Sequence, residues 1–248
     1  IIRGLVGSEM CIRDRFRVTG GEPTMSKDVW RTLDYIMENP QPQLQLAINT
    51  NLGTHTKLID KLIDYINKLE DKVERIDVYT SVESVGQDAN YVRDGLDYDY
   101  WYMNVKHVLS RTNSLVAIMT TLNMLSLPTF NNFIDDIMDL RILFNKGLEN
   151  NRIPISLNYL RWPPHLQATL LDKETRVDYV NKILPHGEQW LKYYSPDKYA
   201  RLYLEEWDQL KRWCDYLVTE PTQEKFRKDF VNYIKAVSYT HLRAHETA

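Results

Sequence analysis

The sequence predicts an α/β fold built on a parallel sheet, and three observations lead there. Short apolar and β-branched runs recur along residues 16–165, and segments with an apolar stripe at helical spacing separate them. From about Asp172 onward the strand-like runs stop, while Trp, Tyr, Leu and charged residues continue. Five strands alternating with helices of roughly 10 to 17 residues imply right-handed βα crossovers and a sheet covered by helices. An α/β barrel or an open α/β sheet satisfies that pattern, followed by a helical appendage over residues 166–236.

Phe16 to Thr19 is a short strand that runs into a tight glycine loop. Ser26 is placed to cap a helix in which Val29, Trp30, Leu33, Ile36 and Met37 recur at helical spacing before Asn39-Pro40 stops it. Leu44, Leu46 and Ile48 alternate with other residues into Asn49-Thr50-Asn51-Leu52-Gly53, a second strand and its loop. Leu58, Ile59, Leu62, Ile63, Ile66 and Leu69 form one stripe, so the next helix packs one face on the sheet. Arg75–Val82 reads as the third strand, Asp99–Arg111 as a helix and Leu115–Leu122 as a fourth, near-continuously apolar strand. Pro128 opens a helix through about Phe144, and Ile155–Trp162 makes a fifth strand closed by Pro163-Pro164. Leu204, Trp207, Leu210, Cys214 and Leu217 share a helical face, on which Cys214 is expected to act as a small buried apolar residue.

Composition narrows the functional classes. With 43% hydrophobic, 26% charged and 11% aromatic residues among 248, the chain is neither disordered nor fibrous. A net charge of −3 gives no global attraction to nucleic acid or to an anionic membrane. Two cysteines make no disulfide framework and no apolar run reaches a membrane span, so a cytoplasmic, reducing compartment is expected. The run GLVGSEMCIRDR (Gly4–Arg15) and the run VSYTHLRAHETA (Val237–Ala248) resemble translated sequencing-adapter sequence. Residues 1–15 and 237–248 are therefore read as non-native tails, with Cys11, His241 and His245 set aside, and the chain as a fragment.

In parallel α/β folds ligands sit over the carboxyl ends of the strands, where loops and helix N-termini converge. The polar residues there are Gly20-Gly21-Glu22-Pro23, Asn49-Thr50-Asn51, Ser81 and Glu83, Thr121 and Asn123, and Asn158 and Arg161. Glycines let backbone approach a ligand, and a carboxylate beside them accepts from an ammonium or hydroxyl group, so the first loop suits a zwitterion. Each residue also has a plainer reading. Glu22 suits a helix N-terminus, Thr50 and Asn51 a turn, and Ser81 and Glu83 a solvated strand end. Arg93 can bridge to Asp94, Asp97 or Asp99, and Tyr91, Tyr98, Tyr100, Trp101 and Tyr102 suit core packing.

Thr19-Gly20-Gly21-Glu22-Pro23 resembles the signature loop of the radical S-adenosylmethionine (radical SAM) superfamily, which follows the second strand of its barrel. Thr50-Asn51 is similar to that superfamily's Thr-Asn-Gly segment, with Leu52 in place of the glycine and Gly53 one position later. Ser81-Val82-Glu83 resembles its Ser-x-Asp strand end, with Arg93 and Gly95 as the later arginine and glycine, and Thr121-Leu122-Asn123 resembles the polar end of its fifth strand. The likeness runs from Phe16 to Pro164, and the helical stretch beyond resembles the approach to an auxiliary domain of twitch or SPASM type. It implies a partial (β/α)6 TIM-like barrel lacking its first strand. Gly20, Gly21 and Glu22 would border the methionyl amino group of S-adenosylmethionine, with Pro23 fixing the loop. Ser81 and Glu83 would face its ribose or carboxylate, Arg93 would pair with the carboxylate, and Asn123 would line the nucleoside side.

The same resemblance implies an enzyme that reductively cleaves S-adenosylmethionine at a [4Fe–4S] cluster, forming a 5′-deoxyadenosyl radical that abstracts a hydrogen from a small-molecule, peptide or protein substrate. Family members hold that cluster by a Cys-x3-Cys-x2-Cys loop ahead of the glycine motif, and this chain has no such loop. The cluster and its ligands are therefore assigned to an intact parent, and the chain as given is expected to be inactive. Two alternatives remain: a barrel enzyme whose Gly20-Gly21 loop cradles phosphate, and a cluster-free binding or scaffold protein that uses the helical appendage.

Overall fold

The computed structural model describes residues 15–145, 150–192 and 200–246, and of residues 192 and 239–246 the backbone only. Cys11 and the side chains of His241 and His245 lie outside that description. The apolar runs form β1 (Arg15–Val18), β2 (Gln41–Asn49), β3 (Val73–Ser81), β4 (Leu115–Leu122) and β5 (Ile155–Tyr159). These make one sheet in the order β1-β2-β3-β4-β5 with every neighbouring pair parallel. The connections carry α1 (Lys27–Glu38), α2 (Thr56–Leu69), α3 (Gly86–Val92), α4 (Tyr98–Arg111) and α5 (Phe130–Phe144).

Strand order and crossover hand together place the helices. Right-handed crossovers between strands laid down in sequence put successive helices on the same face. Accordingly α1 packs beside α2, α2 beside α4 and α4 beside α5. Register sets Ile48, Val78 and Val116 side by side beneath them, and each is fully or almost fully buried. Leu33 and Ile36 of α1, Ile59, Leu62, Ile63 and Ile66 of α2 and Val105 and Val108 of α4 complete this core. Each such side chain contributes about 1.5–3 kcal/mol through removal from water. The opposite face carries Arg17, Gln45, Asn49, Asp77, Tyr79, Ser81, Met119 and Ser156, most of them half-buried or exposed.

The structure departs from the sequence-based expectation in a few places. Ser26 occupies the N-cap of α1 but makes no capping hydrogen bond through its side chain. The fifth strand ends at Tyr159 rather than at Trp162, because Pro163 and Pro164 have no N–H to extend a ladder, and Trp162 is 78% exposed. The short helix α3 buries Ala89 alone and so carries no apolar stripe by which to recognise it.

The appendage is α6 (Lys173–Lys192), α7 (Leu204–Thr219) and α8 (Arg227–Glu246). α7 closes the outer edge of β5: Glu206 Oε1 accepts from the Ile155 N–H at 3.0 Å and Gln209 Oε1 from the Leu157 N–H at 2.6 Å. Arg141 of α5 holds Glu206 with Nη2–Oε1 and Nη1–Oε2 at 2.6 and 2.9 Å, and its remaining donors reach the carbonyls of Ile153 and Arg201. Arg141 is fully buried. Cys214 lies on the buried face of α7, where burial pushes its thiol up to about 12. Among the described residues no helix is long and apolar enough to cross a membrane.

Candidate functional site

Parallel pairing brings the ends of all five strands to one rim, and the loop after β1 is tied to the loop after β2 there. Glu22 makes the tie. Its Oε1 accepts from the Thr24 N–H at 3.0 Å, the Thr24 hydroxyl at 2.6 Å and the Thr50 hydroxyl at 2.8 Å, while Oε2 accepts from the Asn51 N–H at 2.8 Å. Pro23 opens a 3-10 turn to Met25 that Glu22 caps. The carboxylate is thus consumed by the protein, and a ligand's ammonium group would meet the loop's backbone instead. No described residue hydrogen-bonds to a peptide group of Gly20 or Gly21, both exposed. Gly20 has φ +127°, a conformation that side chains resist, and a Cβ at either glycine would meet nothing within 4 Å.

The second loop is a set of local hydrogen bonds. Thr50 Oγ1 accepts from the Leu52 N–H at 3.2 Å, and Asn51 Oδ1 from the Gly53 N–H at 2.8 Å, an Asx turn. Leu52 takes a φ of 50°, in the left-handed region, at the position where the resembling segment has glycine. Its side chain is fully buried, so packing outweighs the backbone cost of roughly 1–2 kcal/mol. Leu52→Gly relieves that strain but empties the side chain's place in the core. The variant is expected to lose about 2 kcal/mol of unfolding free energy, read from a denaturant midpoint. Asn104 of α4 holds the same loop, its Nδ2 donating to the Leu52 carbonyl at 2.7 Å. Sequence reasoning passed over Asn104, although its place on the stripe of Trp101, Val105 and Val108 marks it as a buried polar residue.

Glu83 and Arg93 pair with each other. Arg93 Nε donates to Oε2 at 2.6 Å and Nη2 to Oε1 at 2.5 Å, with the Glu83 side chain 5% exposed and that of Arg93 36%. Arg93 therefore bridges to Glu83, not to Asp94, Asp97 or Asp99, and only its outer side is open to a ligand's carboxylate. α3 returns the chain so that Arg93, at its C-cap, reaches Glu83, and a turn at Gly95, φ +78°, follows the pair. Ser81 ends β3 on the open face of the sheet, in register with Met119. Asn123 is used as a cap: its Oδ1 accepts from the Leu125 N–H at 2.9 Å, and Ser126 Oγ accepts from the Asn123 N–H at 3.3 Å. Its Nδ2 donates to the Thr121 carbonyl at 3.4 Å, so the amide belongs to the turn. Asn158 donates to Ser156 Oγ, and Arg161 to the Tyr159 hydroxyl. In the aromatic cluster Tyr98 and Trp101 are buried core, their rings tilted against each other with centroids 5.4 Å apart, and Tyr98 donates to Asp136.

Hollows also open toward the opposite rim. One of 580 Å³ is lined by Glu70, Arg75, Asp77 and Arg152, and one of 700 Å³ by Pro154, Leu202 and Glu206. That end of a parallel sheet lacks the converging helix N-termini, so the carboxyl rim remains the candidate site. No family model matches the chain, and neither curated proteins nor solved structures provide a match.

Proposed function

We propose that this chain is the S-adenosylmethionine-binding part of a radical SAM enzyme, with β1 to β5 as the second to sixth strands of a (β/α)6 barrel. The observation that carries the reading is the first loop: Glu22 locks it to the second, leaving the Gly20 and Gly21 peptide groups open on the rim that also holds Ser81 and the Glu83–Arg93 pair. Consecutive strand order with helices on one face suits a sheet that curls into a barrel. The left-handed backbone at Leu52 matches a position where the resembling family carries glycine.

The residues fit S-adenosylmethionine in defined ways. The Gly20 and Gly21 carbonyls accept from its ammonium group, the outer side of Arg93 meets its carboxylate, and Ser81 meets its ribose hydroxyls. When bound, S-adenosylmethionine supplies a sulfonium centre whose carbon–sulfur bonds are activated for cleavage. A [4Fe–4S] cluster does not fit the described residues: they offer one cysteine, buried Cys214, and no group of three His, Cys, Asp or Glu arranged for a metal. The reading therefore concerns the nucleotide site, with the substrate left open as a peptide or small molecule.

Isothermal titration with S-adenosylmethionine tests it. Gly21→Val is expected to keep the wild-type unfolding midpoint, because its side chain enters open space, and to weaken binding at least tenfold, because the ligand needs that space. Equal affinity in wild type and variant overturns the reading. Inorganic phosphate that binds at this loop, with S-adenosylmethionine silent, supports the phosphate-binding alternative instead.

A further inference from the structure

The hollow of 580 Å³ at the amino ends of β3 and β4 holds two opposite charges that the protein does not pair with each other. Its volume lies within the roughly 300–1,000 Å³ usual for a small-molecule pocket. Arg152, just ahead of β5, forms one wall and is half-buried. Its Nη2 donates to the Thr112 and Ser114 carbonyls at 2.6 and 3.0 Å, and its Nε to the Ser114 carbonyl at 3.3 Å. Carbonyls satisfy these donors without supplying a negative charge. No described carboxylate forms an ion pair with the guanidinium, burial alone holds it below the usual arginine range, and its Nη1 makes no hydrogen bond to a described residue. Glu70, the C-cap of α2, reaches the same short segment, where its Oε1 accepts from Asn113 Nδ2 at 2.6 Å. Residues 112–114 thus hold a guanidinium by their carbonyls and a carboxylate by a side chain, and both groups line one hollow. The other charges there are engaged: Asp77 lies beside Arg75, Oδ2 to Nε 3.3 Å, and also feels Arg15 and Arg17, while Glu74 accepts from Gln45 Nε2 at 3.3 Å.

A guanidinium taken partly out of water without a counter-charge gains from a ligand carboxylate, because attraction strengthens as water is excluded and the fork matches two oxygens. A simple anion would meet repulsion from Glu70 and Glu74 in the same hollow, and a simple cation would meet it from Arg152, so a molecule carrying both charges is favoured. We infer that this hollow binds an amino acid, its carboxylate on the open side of Arg152 and its ammonium group on Glu70. The site lies at the end of the sheet away from the Gly20-Gly21 loop and stands without the S-adenosylmethionine reading.

The test is an amide-resolved NMR titration of the full chain with glycine and with γ-aminobutyrate, which carry the two groups at short and long spacing, and with acetate and methylammonium as single-charge controls. At least one of the amino acids is expected to give saturable shifts at residues 70–76, 113–115 and 151–153, at concentrations where neither control does. Glu70→Gln keeps an acceptor for Asn113 and should weaken that binding by about tenfold or more. Arg152→Gln should do the same, and Arg152→Lys, which keeps the charge but loses the fork, should restore part of the loss. Should Arg152→Gln fail to fold, Glu70→Gln carries the expectation. Gly21→Val should leave these titrations unaltered, which separates this site from the rim. Silence from both amino acids, a control that binds as tightly as they do, or wild-type affinity in Glu70→Gln overturns the inference.

Discussion

Arg141→Met is expected to lower the unfolding free energy by about 3–5 kcal/mol, the largest single effect in this molecule. The side chain is fully buried and directs its donors at Glu206 and at the carbonyls of Ile153 and Arg201. Its removal leaves Glu206 as a buried charge whose remaining donors are the N–H groups of Ile155 and Tyr203. Replacing the charge in the same background, Arg141→Met with Glu206→Gln, should recover part of the loss, since an uncharged amide tolerates burial better. Urea unfolding followed by circular dichroism checks both. Arg141 also reports on organisation: it ties α5, the start of β5 and α7 together, so α7 should unfold with the sheet. An early separate transition of the helical region in the wild type would contradict that.

The second large effect falls on Glu22. Glu22→Ala strips the acceptor from Thr24 and Thr50, both nearly fully buried, and from two backbone N–H groups. A loss of about 3 kcal/mol is expected, since hydrogen bonds to a charged group are worth roughly 1.5–3 kcal/mol each and act here as one cluster. Glu22→Gln keeps an acceptor oxygen and should lose about half as much. The first two loops are then no longer tied, so under the proposed function affinity for S-adenosylmethionine should fall along with stability, in contrast to Gly21→Val. Denaturation midpoints and titrations on the same samples separate the two behaviours.

Much of this architecture was legible in the sequence. β4 matches the apolar run Leu115–Leu122 residue for residue, and the stripe through Leu69 marks α2 because its residues bury one face. Strand ends gave the rim, since parallel pairing leaves their polar residues no other place. What escaped was pairing across the chain. Glu22 reads as a ligand-facing carboxylate until Thr50, 28 residues away, is seen to donate to it. Arg93 has three aspartates near it in sequence, yet α3 turns it back to Glu83, and α3 offers too few buried positions to announce itself. Arg141 left a trace in the sequence: it continues the stripe of Phe130, Phe133, Ile134, Ile137 and Met138, where a charged residue signals a buried partner. That the partner is Glu206, 65 positions on, depends on tertiary packing alone.

The most direct measurement is a crystal structure of the chain soaked with S-adenosylhomocysteine, which keeps the amino-acid and nucleoside groups of the proposed ligand. The account predicts its ammonium nitrogen within hydrogen-bond distance of the Gly20 or Gly21 carbonyl and its carboxylate toward Arg93. Ligand density at the amino ends of the strands, or an empty rim at saturating ligand, would contradict it.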